Sequence, residues 1–121
     1  MPGERVVLGQ GEVEGVDRKS YHGKEYAAFM GIPYGAAKRF QLPQPAPKWE
    51  GVLKGDKRIE CLQRNPVLGG MIKGKEEGAL VLNVYVTKEV LAKPEAPVPT
   101  MVFIHGGAFG IGSGTDGKIK N

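Results

Sequence analysis

The chain has 121 residues, 40% hydrophobic and 25% charged, with a net charge of +4. That length suits one small domain of ordinary soluble-globular composition. The 17 lysines and arginines are scattered, not gathered into a dense stripe with interleaved aromatics, which argues against nucleic acid as a partner, and no run nears the roughly 18 apolar residues of a membrane span.

Nineteen glycines and nine prolines predict many turns and few long helices. The N-terminus, Met-Pro-Gly-Glu-Arg, lacks the apolar core of a secretory signal. Residues 6–8 and 13–16 alternate apolar and polar positions around Gly9 and Gly11, which predicts a short hairpin. Tyr26 to Met30 reads as a third strand, ended by Gly31 and Pro33. Residues 35–47 read as extended coil, because Pro43, Pro45 and Pro47 each lack a backbone donor for a regular ladder. Trp49 is expected to pack over that coil. Residues 61–66 could hold a helical turn, and residues 68–78 read as a charged, glycine-rich surface loop. Cys61 is the single cysteine and His22 and His105 the only histidines, so neither an internal disulfide nor a Cys/His metal spacing is available.

Residues 80–86, Leu-Val-Leu-Asn-Val-Tyr-Val, are nearly continuous in apolar and β-branched side chains and predict a strand buried on both faces. Residues 87–99 predict an exposed connection, and residues 100–104 a second buried strand. No repeat and no long amphipathic helix is visible. The helices that should cover a buried sheet are missing, so more chain is expected to follow.

The second strand opens into His105-Gly106-Gly107-Ala108-Phe109, with three more glycines by residue 114. Glycine reaches φ > 0 at little steric cost and lets a ligand approach backbone N–H groups closely. Two such donors aimed at one oxygen make an oxyanion hole, and an HGGG-type loop has this role in lipases and esterases. Here the fourth position is Ala108, which keeps its N–H. Two other readings use the same glycines. Residues 112–119 nearly match a phosphate-binding loop but place Ile119 where the Mg²⁺-binding hydroxyl belongs, and they begin eight residues after the strand. Gly112, Gly114 and Gly117 match the spacing of a dinucleotide fingerprint without its helix or acidic partner. A flexible surface loop is the plain structural alternative.

Four pieces in order carry a resemblance. "FMGIPYGAAKRFQLPQPAPKWEGV" is similar to the F-x-G-I-P-Y-A … R-F … P … W-x-G-V segment of the type-B carboxylesterases (the carboxylesterase/cholinesterase family). "CLQ" is similar to its C-x-Q, "EEGALVLNVYV" to its S-E-D-C-L-Y-L-N-V-Y-V strand, and "TMVFIHGGAFGIGSG" to its V-M-V-F-I-H-G-G-A-F … G-S-G loop. Insect esterases are nearest in pattern. The resemblance implies an α/β fold: the N-terminal part of an α/β-hydrolase, with a small N-terminal β-hairpin sheet and the first strands of the central sheet. Residues 1–121 are then the N-terminal portion of a single domain. It implies that Gly107 and Ala108, with Gly106 beside them, supply the oxyanion donors. It implies that Arg39 and Glu77 form a structural ion pair, and that His105 orients the loop and is not the catalytic base. No metal or organic cofactor is implied, and the partner is a small-molecule ester substrate.

Two departures matter. The family's first disulfide would join Cys61 to the position held here by Ala79, so it cannot form. A loop of that size contributes about 3 kcal/mol in the chain-entropy picture, and its loss fits a reducing compartment, cytoplasmic over secreted. The nucleophile elbow G-x-S-x-G is also absent. Ser20 and Ser113 are the only serines, and neither has the flanking glycines. The expectation is therefore a fragment, inactive alone, of a serine carboxylic-ester hydrolase. The alternative is a fragment of a cholinesterase-like adhesion protein that keeps the fold without the serine.

Overall fold

The computed structural model describes residues 3–64, 70, 72–74 and 80–115. In chain order the strands are β1 (Arg5–Val7), β2 (Glu12–Glu14), β3 (Val16–Lys19), β4 (Glu25–Pro33), β5 (Gly35–Ala36), β6 (Gln44–Pro45), β7 (Val52–Lys54), β8 (Gln63–Arg64), β9 (Ile72–Lys73) and β10 (Val81–Thr87), followed by one helical turn, α1 (Lys88–Leu91). They form small sheets. One has the order β1-β2-β7, a second β10-β4-β3, and the pairs β5-β6 and β8-β9 stand separately. No helix among the described residues is long and apolar enough to cross a membrane.

The first hairpin forms as its alternation predicts. β1 and β2 run antiparallel with Val6 opposite Val13, and Leu8 and Gly11 exchange backbone hydrogen bonds across the turn. β7 adds to β2 in parallel. One row across these three strands holds Arg5, Glu14 and Lys54. Glu14 is buried and accepts hydrogen bonds from Lys54 Nζ and, at 2.8 Å, from Arg5 Nε. A carboxylate taken from water needs such partners, and here two cations flank it on neighbouring strands.

β4 is the spine of the second sheet. It pairs antiparallel with β3 on one edge and β10 on the other, and Tyr26 through Ile32 are all buried. Ala27 and Phe29 face a cluster with Val13 and Ile32, supported by Trp49, Leu53, Val86 and Leu91. Tyr26, Ala28 and Met30 face the other way. Strict alternation would place Ile32 with Met30. It joins Phe29 because the ladder slips: Leu82 opposes Ile32 and Val84 opposes Phe29, so Met30 and Gly31 together face the single residue Asn83. This β-bulge changes the strand's parity. The amide freed at Gly31 (φ 74°) donates instead to Asn83 Oδ1 at 2.9 Å.

The two three-stranded sheets meet at Gly55. Its N–H donates to the Glu14 carbonyl at 2.8 Å and its carbonyl accepts from Met30 N–H at 2.9 Å. A Cβ there would lie 3.0 Å from the Glu14 oxygen and 3.2 Å from Phe29 Cα, so a side chain would wedge the seam open. Lys88 ties α1 down from outside, bonding Glu4 at 2.8 Å and Asp17 at 2.6 Å.

Several sequence expectations are corrected. Strand β4 continues through Gly31 to Pro33, because the bulge absorbs the glycine. Pro45 does take part in a ladder, opposite Gly35, in a two-residue pair that needs no donor from it. Residues 61–64 are not helical: Gln63 and Arg64 pair with Lys73 and Ile72. Residues 65 and 66 of that expected turn lie outside the described residues, as does most of the 68–78 loop. Trp49 packs on the core cluster, with its Nε1 donating to the Glu12 carbonyl at 2.8 Å. Strand β10 forms, but one edge and parts of both faces stay open; Leu82, Val84 and Tyr85 are 40–46% exposed. Residues 100–104 join no ladder. Met101 is 94% and Ile104 86% exposed, since β-pattern makes a segment fit for a strand but a ladder still requires a partner edge.

Protonating Glu14 removes the acceptor at the centre of its row. Hydrogen bonds from Lys54 and then Arg5 hold its pKa below the ordinary carboxylate value. Its stabilising contribution is therefore present in full above the unfolded-state value of about 4.3 and is lost as pH falls through the lower folded value. Glu14→Gln is expected to melt below the wild type at pH 7, with the gap in Tm closing towards pH 3.

Candidate functional site

The loop after residue 104 turns on Gly107. Its carbonyl accepts from both Gly110 N–H and Ile111 N–H, each at 3.0 Å. Closing so tight a turn forces three successive residues to positive φ: Gly107 at 135°, Ala108 at 50° and Phe109 at 59°. For the two non-glycine residues this left-handed geometry costs about 1–2 kcal/mol each. Gly107 has no substitute, because a Cβ on it would sit 1.7 Å from the Ile111 carbonyl oxygen. Gly112 (φ 105°) is bound in the same way, with its Cβ direction filled by the Gly106 oxygen at 2.3 Å. Gly106 itself has open space where a Cβ would stand.

Two side-chain amides from distant strands hold the far arm of the loop. Gln63, on β8, is 9% exposed and exchanges two hydrogen bonds with Gly112: Gly112 N–H donates to Oε1 at 2.8 Å and Nε2 donates to the Gly112 carbonyl at 3.0 Å. Its second Nε2 proton goes to the Cys61 carbonyl at 3.1 Å. Asn83, at the β4–β10 bulge, donates at 3.4 Å to the Gly114 carbonyl. Gln63 stands in the C-x-Q match and Asn83 in the L-N-V-Y-V match, but neither was given a role from the sequence. An amide at such a position becomes meaningful once its partner, 49 positions away for Gln63, is known.

A groove of about 420 Å³ lies between these parts, lined by Cys61, Leu62, Gln63 and residues 105–112. Gly106, Gly107 and Ala108 all face this space. Among the described residues, the N–H groups of these three donate to no acceptor in the protein. His105 Nδ1 lies 2.9 Å from the Gly106 carbonyl. A carbonyl only accepts, so Nδ1 is the donor in this contact. That contact ties the imidazole to the loop itself. Cys61, which forms no disulfide among the described residues, lines the groove wall.

The serines lie elsewhere in role. Ser20 accepts from Lys24 N–H at 3.1 Å in a surface turn, and Ser113 is buried and bonded to Thr115 at 2.8 Å. No cluster of three potential metal ligands occurs among the described residues. The Arg39–Glu77 pair and the Ala79 position fall outside the described residues on their Glu77 and Ala79 side. Arg39 stands 5.0 Å from the Phe40 ring centroid. The phosphate-loop and dinucleotide spacings also run beyond the described residues after Thr115.

With this geometry in place the comparisons with known proteins are specific. The carboxylesterase family profile matches residues 3–120. The chain is 36% identical over 120 residues to venom carboxylesterase-6 of Apis mellifera, covering 93% of this chain and 21% of that protein. It is 38% identical over 115 residues to the bile salt-activated lipase of Rattus norvegicus, covering 92% of this chain and 18% of the lipase. It is 33% identical over 119 residues to the juvenile hormone esterase of Tribolium castaneum, covering 94% and 20%. The chain belongs to the carboxylesterase family, and it spans about a fifth of the length of these relatives.

The contrast between neighbouring glycines gives a test. Gly107→Ala is expected to break the turn, speeding exchange of the Gly110 and Ile111 amides by at least about tenfold, because a Cβ at 1.7 Å from a backbone oxygen cannot be accommodated. Gly106→Ala, made as the control, is expected to leave that exchange unchanged. Amide hydrogen exchange followed by NMR checks both.

Proposed function

We propose that this chain is the oxyanion-loop portion of a serine carboxylic-ester hydrolase with an α/β-hydrolase fold, and that residues 1–121 are the N-terminal part of its single domain. The observation that carries the reading is the set of N–H groups at Gly106, Gly107 and Ala108, which border the groove with no acceptor among the described residues. Unpaired backbone donors beside a cleft are what a developing negative oxygen requires. The names of the relatives supply the class of reaction: carboxylesterase, lipase, hormone esterase.

In this reading a serine from sequence beyond this chain attacks the carbonyl carbon of a small-molecule ester. A histidine, oriented by a carboxylate, takes the serine proton and then gives it to the departing alcohol. The amides of Gly107 and Ala108 hold the tetrahedral oxygen, with Gly106 shaping the approach. Water then releases the acyl group by the same steps in reverse. Each oxyanion donor is worth about 2.7–4 kcal/mol of transition-state stabilisation. The intact His105-Gly106-Gly107-Ala108 loop favours the enzyme over the adhesion alternative. A venom carboxylesterase among the relatives favours the secreted alternative over the cytoplasmic expectation.

The full-length protein is expected to hydrolyse p-nitrophenyl acetate and to take up one equivalent of a fluorophosphonate on a serine outside these 121 residues. The isolated chain is expected to do neither above the buffer rate. Hydrolysis by the isolated chain that disappeared in Gly107→Ala would overturn this assignment, and a full-length protein inert to both reagents would favour the adhesion reading.

A further inference from the structure

We propose that Gln63 is a positioning residue for the oxyanion loop: its side-chain amide acts as a one-residue strand partner for Gly112 and sets where the Gly106–Ala108 amides stand. The proposal rests on the esterase reading of that loop. Three observations lead to it.

The first is completeness. A glutamine amide has two N–H donors and an oxygen acceptor. Gln63 engages both donors and its oxygen with backbone alone: the Gly112 N–H at 2.8 Å, the Gly112 carbonyl at 3.0 Å and the Cys61 carbonyl at 3.1 Å. The pair of bonds to Gly112 has the pattern of an antiparallel bridge between two backbone residues, supplied here by a side chain. The second is burial. The residue is 9% exposed, so losing these bonds would leave backbone groups unpaired away from water, which a protein resists strongly.

The third is the loop's own instability. Residues 100–106 belong to no strand, and Ala108 and Phe109 are held in left-handed backbone at a cost. The turn at Gly107 closes locally, through its own carbonyl. Nothing in that turn fixes its orientation relative to the strands around it. Gln63 does, because its strand is paired with β9 and its amide reaches the residue that follows the turn. Asn83 repeats the arrangement one step on, joining the β4–β10 bulge to Gly114. Gln63 touches no reacting atom in this scheme. It acts through the backbone, and a misplacement of about 1 Å at such a site can lower rate about a hundredfold.

The test uses the full-length protein. Gln63→Met keeps the side chain's length and removes all three bonds. It is expected to lower kcat about 10- to 100-fold with KM changed less than about threefold, since the loop amides engage the transition state and not the ground state. Hydrogen exchange in the peptide carrying residues 105–115 should quicken at the same time, with β4 unchanged. Gln63→Glu gives the second readout. When ionised it faces the Gly112 carbonyl with a like partial charge. When protonated it recovers one O–H donor and one acceptor, enough to remake the bridge. Its kcat relative to wild type is therefore expected to rise as pH falls through the carboxyl's pKa. A Met variant with wild-type kcat, a loss confined to KM, unchanged exchange in residues 105–115, or a Glu-to-wild-type ratio flat with pH would each overturn the proposal. If the wild type itself fails to turn over esters, the esterase reading fails. Gln63 is then judged by exchange alone: quickening in the Met variant keeps it as the loop's anchor, and no quickening removes that too.

Discussion

The structure depends on one strand that is buried on both faces. β4 carries β3 on one edge and β10 on the other, meets the β1-β2-β7 sheet through Gly55, and places Phe29 and Met30 in opposite clusters. A side chain the size of phenylalanine contributes about 1.5–3 kcal/mol on burial, and β4 buries seven consecutive residues. The bulge at Met30 and Gly31 is where this apolar framework is tied to the glycine loop. Slipping the ladder by one residue frees the Gly31 amide, the amide recruits Asn83, and Asn83 reaches the end of the glycine loop.

From that frame the loop is held at a distance. Its turn is strained, its flanking residues 101–104 are exposed, and its position comes from side-chain amides of Gln63 and Asn83. Such a design separates two requirements that compete in a buried loop. The Gly106, Gly107 and Ala108 N–H groups donate to no acceptor among the described residues, while Gly112 satisfies its backbone polarity through Gln63. Polar groups in ionic rows do comparable work elsewhere. Glu14 stands between Arg5 and Lys54 on neighbouring strands, and Lys88 of α1 stands between Glu4 and Asp17.

Much of this was legible in the residues. The alternation around Gly9 and Gly11 gave the hairpin. The apolar run from Tyr26 to Met30 marked β4, the β-branched run over 80–86 marked β10, and the His-Gly-Gly-Ala segment marked the loop that the structure sets beside a groove. Pattern failed where the outcome depended on a partner. Residues 100–104 are as strand-like as 81–87, yet only the latter find an edge to pair with. Gln63 looked like part of a helical turn because helix and short strand cannot be told apart over four residues without knowing that Ile72 and Lys73 lie opposite. The role of Gln63 was invisible for the same reason, since its meaning lies 49 positions away at Gly112. The bulge was hidden because one glycine in an apolar run reads as a terminator rather than as a slip in register.

Membership of the carboxylesterase family, read with loop donors that find no acceptor among the described residues, makes the position of a single oxygen the quantity on which the account turns. The most direct measurement is a crystal structure of the full-length protein carrying a phosphonate on the serine proposed as its nucleophile, a group whose P–O⁻ stands for the tetrahedral oxygen. The account predicts that oxygen at about 2.7–3.1 Å from the backbone nitrogens of both Gly107 and Ala108, with Gln63 still bridged to Gly112. A phosphonate oxygen bound by other donors, with the Gly107 and Ala108 amides turned to solvent or to protein carbonyls, would contradict it.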